Sequence, residues 1–188
     1  RELHRFYGVS SLANLPRVKA YEASFRRRAA RQDSSYALAA WIRCAELRAS
    51  EMPAESFDKG RLWRSLNDIL VLRTKDPAEL VPELKGLLAR LGVVLVLLTH
   101  FPKTDARGAT FWIKPDKAVL LMSPRPRRPD TFWFNLFHEI GHLLLHGKRM
   151  FIDAPNVPPE LARLEKEADD FACKELLRHD SKLNPLGK

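Results

Sequence analysis

The stretch that decides the fold, residues 131–147, reads TFWFNLFHEIGHLLLHG. It contains the motif HEIGH at residues 138–142, and residues four apart lie on one face of an α-helix. His138 and His142 can therefore direct two imidazole rings at one zinc ion, and Glu139 can reach a water bound to that ion. The motif predicts a metal site in which Glu139 is the catalytic carboxylate.

The other side chains of this predicted helix are almost all apolar. They are Phe132, Trp133, Phe134, Leu136, Phe137, Ile140, Leu143, Leu144 and Leu145. A helix that is apolar on every side is buried inside a domain. Two histidines and a glutamate there need partners, because an unpaired buried polar group costs about 1–3 kcal/mol, and a metal ion satisfies all three. Asp130 is predicted to cap the start of the helix and Gly147 to end it.

The third metal ligand has to come from another segment, because a hydrolytic zinc site has three protein ligands and keeps one position for water. The last predicted helix, residues 160–178, is the expected source. Glu165 falls on the flank of its apolar stripe, and Glu167 lies further round the helix. We therefore predict Glu165 as the ligand, with Glu167 as the alternative. Asp169 shares a face with Glu165 and is predicted to accept the free ring N–H of a zinc-bound histidine.

His146 follows His142 by four residues, but a straight helix carries it a full turn away from the metal. We predict that it lies at the edge of the site, with a ligand role as the less favoured alternative. The two cysteines, Cys44 and Cys173, make neither a disulfide framework nor a cysteine-type zinc site. They are typical of a reducing compartment, so a cytoplasmic location is expected, and Cys173 is predicted to be inert packing.

The totals favour a globular protein with a basic surface. The chain has 188 residues, 45% of them hydrophobic, which is enough for one large domain or a domain with a helical extension. The net charge is +9, and the first fifty residues hold ten Arg or Lys against four Asp or Glu. This excess fits either a nucleic-acid or acidic partner or a well-solvated surface. No signal peptide is visible, and no apolar run approaches the ~20 residues that cross a membrane.

The pattern along the chain predicts an α+β fold. Residues 1–90 are expected to form a helical region, residues 91–180 the metal-binding domain, and residues 181–188 a C-terminal tail. The predicted N-terminal helices cover residues 18–31 and 36–50, then start at Asp58 and Pro77, the last being closed by Gly92. Residues 93–98 read as a buried strand, and residues 110–113 and 118–122 as a hairpin. The strand at 118–122 is expected at an exposed sheet edge, where an extended peptide substrate can pair.

Two segments resemble a known family. HEIGHLLLHG at residues 138–147, followed by EKEADDFA at residues 165–172, resembles the ImmA/IrrE family of zinc metallopeptidases. GATFWIKPDKA at 108–118 and DTFWF at 130–134 resemble the branch of that family fused to helix-turn-helix repressors or HigA-type antitoxins. The resemblance covers about residues 90–178.

The resemblance implies a thermolysin-like zincin core, in which a small sheet packs on the HExxH helix. It implies a third ligand within the pattern Glu-x-x-Ala-Asp/Asn, which falls on Glu165 and Asp169. It also implies zinc as the cofactor, with manganese possible, and cleavage of a helix-turn-helix repressor in a stress, phage or mobile-element response. No helix-turn-helix is evident before Phe6, so DNA binding is expected only through a missing N-terminal domain or the basic helical region.

Three functions are compatible with these sequence patterns. The first is a zinc endopeptidase that cleaves a regulatory protein. The second is a regulatory or antitoxin module that retains the metal site and binds a protein partner or DNA. The third is a basic nucleic-acid-binding domain in which the metal pattern is accidental. This function requires DNA binding that depends on salt concentration and is unchanged by chelators.

Overall fold

A computed structural model describes residues 2–18, 32–102, 104, 106–124, 129–153 and 157–183. These residues contain seven α-helices and four strands. The helices are α1 (Glu2–Tyr7), α2 (Gln32–Glu51), α3 (Lys59–Arg64), α4 (Leu66–Val71), α5 (Pro77–Arg90), α6 (Pro129–Leu145) and α7 (Ala162–Leu183). The strands are β1 (Val93–Leu97), β2 (Gly108–Lys114), β3 (Lys117–Met122) and β4 (Phe151–Asp153). The predicted α+β class is confirmed.

The four strands form one mixed sheet in the order β1-β3-β2-β4. β2 and β3 make the predicted antiparallel hairpin, while β1 runs parallel to β3. The expectation that residues 118–122 lie at an exposed edge is wrong, because β3 pairs with β1 on one side and with β2 on the other. Among the described strands the edges are β1 and β4. The three-residue strand β4, which pairs antiparallel with β2, was not predicted.

Helices cover both faces of this sheet, because alternate residues along a strand point to opposite sides. On one face, strand residues such as Leu95 and Leu120 share a core with α3, α4, α5, α6 and α7. On the other face, residues such as Val94 and Leu121 pack against α2, around the fully buried Trp41. The N-terminal helices therefore share their cores with the sheet. The predicted domain boundaries stay predictions.

The helix ends follow the predicted signals in part. Asp58 accepts the N–H of Arg61 at 2.8 Å and starts α3, and Gly92 follows α5 with φ +80°. The predicted start of the second helix at residue 36 is wrong, because α2 begins at Gln32. The helix that starts after Asp58 breaks at Ser65 into α3 and α4. Most of the helix predicted at 18–31, with its basic run, lies outside the described residues.

The helix that carries the metal motif, α6, packs between the sheet and α7. It begins at Pro129, so Asp130 lies in its first turn, and the prediction that Asp130 precedes and caps the helix is wrong. Gly147 follows the helix with φ +73°, which confirms the predicted end. A Cβ on Gly141 would lie 3.1 Å from Phe171 Cδ1 and 3.3 Å from Ala168 Cα, so the glycine permits a close approach of α7. This approach brings the acidic face of α7 to the two histidines.

Candidate metal centre

Two imidazole rings of α6 face one another across one helical turn. The Nε2 atoms of His138 and His142 lie 3.0 Å apart, and both side chains are buried. The ring of His142 also stacks on Phe151 of β4, with centroids 4.0 Å apart and planes 12° apart. Helical spacing places the two rings together, and the short edge strand sets the plane of one of them.

Glu165 of α7 completes a cluster of three donor groups. Its Oε2 atom lies 3.3 Å from His138 Nε2 and 3.6 Å from His142 Nε2. Four ligands at about 2.0–2.1 Å around a tetrahedral zinc ion lie about 3.3 Å from one another. The three observed separations of 3.0, 3.3 and 3.6 Å are centred on that value. All three residues are buried, and the donor set can hold a metal ion.

The alternative ligand, Glu167, points elsewhere. Its Oε2 atom lies 3.2 Å from His146 Nε2, and its Oε1 atom accepts the Nε–H of Arg163 at 2.7 Å. These two bonds lower the pKa of the Glu167 carboxyl. Asp169 reaches His138 on the side away from the cluster, where Oδ1 lies 2.8 Å from Nδ1. The ligand roles stay predictions, but of the two glutamates only Glu165 lies among the donor atoms described.

Glu139 is fully buried beneath β2. Its Oε2 atom accepts the hydroxyl hydrogen of Thr110 at 2.5 Å, whereas its Oε1 atom is buried without a hydrogen-bond partner. Oε1 lies only 2.3 Å from where a Cβ on Gly108 would stand, so a larger residue at position 108 would force this carboxyl to shift. Burial raises the pKa of Glu139 to about 8, against the opposing charge of His138 and with help from Asp153.

The pKa values of the two facing histidines shift in opposite directions because their surroundings differ. Burial opposes charge on His138, but its bond to Glu165 and the nearby carboxylates of Glu139 and Asp153 raise its pKa to about 9. Burial lowers the pKa of His142, although the bond to Glu165 opposes that shift. The carboxylates around His138 therefore favour positive charge at this position, which is the sign of charge that a metal cation carries.

The remaining sequence predictions have mixed outcomes. His146 lies beside His142, at the edge of the site as predicted, with the two Nδ1 atoms 2.9 Å apart. The prediction that Cys173 is packed is wrong, because its side chain is exposed.

Several residues around the site were not predicted. Gly108 and Thr110 contact the Glu139 carboxyl from β2. Asp153 of β4 is buried and bound by Arg107, whose Nη2 lies 2.7 Å from Oδ1. The signal that could have found Gly108 is a lone glycine at the start of a strand, which indicates close approach of another group.

Comparison with known proteins gives this geometry a class. Residues 89–181 match the model of the peptidase M78 family, described as the IrrE N-terminal-like domain. The match covers the whole sheet, α6 and the part of α7 that carries Glu165, so these residues form a metallopeptidase-type domain. Residues 89–181 are therefore a domain of the ImmA/IrrE family, which confirms the resemblance seen in the sequence. No curated protein and no solved structure matches the chain.

None of the helices in the described residues combines the length and the apolar composition needed to cross a membrane.

Proposed function

We propose that the protein is a cytoplasmic zinc endopeptidase of thermolysin-like zincin type that cleaves a helix-turn-helix transcriptional repressor. The observation that carries this proposal is the convergence of His138, His142 and Glu165, whose donor atoms all lie within 4.8 Å of one another in a buried cluster. Two nitrogen donors and one carboxylate are the ligand set of catalytic zinc sites that leave one position open. Manganese is the alternative cation.

The roles of the side chains follow from their positions. His138, His142 and Glu165 would hold the metal, which would supply a Lewis acid and a water of lowered pKa. Glu139 accepts the proton of the attacking water and returns it to the leaving amine. The unpaired Oε1 of Glu139 is the atom available for that proton, because Oε2 is engaged by Thr110. Asp169 holds His138 through Nδ1.

The sheet offers a place for the substrate that differs from the one first expected. β4 is an edge strand among the described strands, and its Phe151 stacks directly on His142. An extended peptide that pairs with the outer edge of β4 would run beside the imidazole pair. The family to which residues 89–181 belong supports a protein substrate. The resemblance of residues 108–118 and 130–134 to the repressor-linked branch supports a repressor as that substrate.

One observation favours the second function, a regulatory or antitoxin module that retains the metal site and binds a partner. Glu139 is 0% exposed, and His142 is 1% exposed. A closed site suits a structural or sensing metal, whereas a peptidase must open to admit a peptide. A test of turnover separates the two functions, because both predict bound metal.

The test uses the full chain purified without added metal. Elemental analysis should find about one zinc per chain, and intact-mass analysis should find two fragments of one repressor from a panel of helix-turn-helix repressors. Glu139→Gln should keep the zinc and lose the fragments, by about 10²–10⁴-fold in rate. Repressor binding without fragments, equal in both proteins, would support the regulatory module. Absence of zinc and of any effect of chelator would overturn both.

A further inference from the structure

His142 uses both of its ring nitrogens. Nε2 faces the donor cluster, and Nδ1 lies 2.9 Å from Nδ1 of His146. The other nitrogen of His146, Nε2, lies 3.2 Å from Oε2 of Glu167 on α7. A row of three side chains therefore leads from the centre of the site to the surface, and the proposed mechanism uses neither His146 nor Glu167.

The proton positions along this row follow from its outer end. An ionised carboxylate only accepts hydrogen bonds, so Nε2 of His146 carries the hydrogen that Glu167 receives. A neutral imidazole has one N–H, so Nδ1 of His146 is an acceptor. Nδ1 of His142 must then be the donor across the 2.9 Å contact. That tautomer leaves the lone pair of His142 Nε2 directed at the donor cluster.

We propose that His146 and Glu167 are positioning residues that fix the tautomer and ring orientation of His142 for metal binding. This inference rests on the proposed function, in which His142 is a metal ligand. Each ligand histidine then has its own partner at Nδ1. Asp169 orients His138, and His146, itself bonded to Glu167, orients His142. Such outer partners orient the ring and raise the basicity of the nitrogen that binds metal.

The loss of zinc affinity on replacing a residue should become smaller from His146 to Glu167 to Arg163. The His146 side chain is 2% exposed and touches the ligand itself, whereas the Glu167 side chain is 38% exposed and acts through His146. Arg163, which holds the other oxygen of Glu167, is 87% exposed, and such exposed pairs contribute little. The decisive variants are therefore at His146 and Glu167.

The experiment measures the zinc dissociation constant of the full chain by competition with a chromophoric chelator. His146→Leu should weaken binding by about 10–100-fold, as loss of such a partner does at other metal sites. His146→Asn should stay within about threefold of wild type, because its amide oxygen can stand where the Nδ1 acceptor stands. Glu167→Gln should weaken binding by about 3–10-fold, since its partner is still present. The visible spectrum of bound Co²⁺ should change in His146→Leu.

Matched controls separate this role from general loss of stability. Glu83→Gln removes an exposed carboxylate that pairs with Lys75, and His100→Asn changes a histidine that bonds to Ser123. Both should bind zinc as wild type does. In the His146→Leu background, Glu167→Gln should cause no further loss, because Glu167 acts through His146.

Zinc affinities of His146→Leu and Glu167→Gln within twofold of a metal-binding wild type would overturn this inference and leave the proposed function standing. A wild type that binds no metal would overturn both. If His146→Leu does not fold, Glu167→Gln decides: a loss above threefold that Glu83→Gln lacks supports the relay, and a smaller loss contradicts it.

Discussion

Gly108→Ala tests whether the position of the Glu139 carboxyl matters for turnover. The added Cβ would lie 2.3 Å from Glu139 Oε1, 3.0 Å from Cδ and 3.1 Å from Cγ. An ordinary contact needs at least 3.4 Å, so the carboxyl has to move by about 1 Å. A displacement of about 1 Å in a catalytic group costs about 10²-fold in rate, or about 2.7 kcal/mol of transition-state stabilisation. The three atoms nearest to that Cβ all belong to Glu139, and none of them is a donor atom of His138, His142 or Glu165.

The assay follows cleavage of the repressor that the wild type cuts, together with zinc content and the free energy of unfolding in urea. We expect a loss of about 10²-fold in kcat, full zinc content and a destabilisation of about 1–3 kcal/mol from overpacking. Gly86→Ala is the control, because its Cβ would meet only Arg90 Nη1 at 3.7 Å. It should keep full activity and gain about 0.5–1 kcal/mol, because alanine is preferred to glycine in the interior of a helix. Wild-type kcat in Gly108→Ala would refute the role given to Glu139.

The other predictions concern the metal and the contact between α6 and α7. Protein dialysed against chelator should have a Tm about 5–10 °C lower than protein with zinc at 100 times Kd. Equal Tm values in calorimetry would count against a metal in the folded core. Gly141→Ala should cost about 1–3 kcal/mol in urea unfolding and weaken zinc binding, because its Cβ presses Phe171 and Ala168 outward; equal affinity would show that α7 tolerates the shift. Thr110→Val should leave Glu139 with no hydrogen-bond donor and cost about 1–3 kcal/mol, measured in the same way, whereas no change would mean that the Thr110 bond contributes nothing.

The helix with its two histidines was predictable because the signal is local. Spacing of four residues puts His138 and His142 on one face, and apolar neighbours on all sides require burial. The inward direction of Glu165 was also predictable, because its position relative to the apolar stripe of α7 determines which way the side chain faces. Its role as a ligand stays a prediction. The two glutamates that the sequence left as alternatives differ in the structure by their neighbours: the imidazole pair for Glu165, and His146 with Arg163 for Glu167.

The parts that were missed depend on contacts between distant segments. The interior place of β3 follows from parallel pairing with β1, which a period-two pattern does not encode. β4 has only three residues, too few for any periodic signal, yet it supplies the ring that stacks on His142. The glycine at position 108 indicates that some group approaches closely, but the sequence does not show that this group is the Glu139 carboxyl.

The most direct test of the central claim is the zinc content of four proteins purified in parallel without added metal. Wild type and Glu167→Gln should each hold about one zinc per chain after gel filtration, since Glu167 lies on His146 and not among the donor atoms. Glu165→Gln and His142→Ala should hold little or none. Full zinc in Glu165→Gln together with loss of zinc in Glu167→Gln, or no zinc in wild type, would contradict the account.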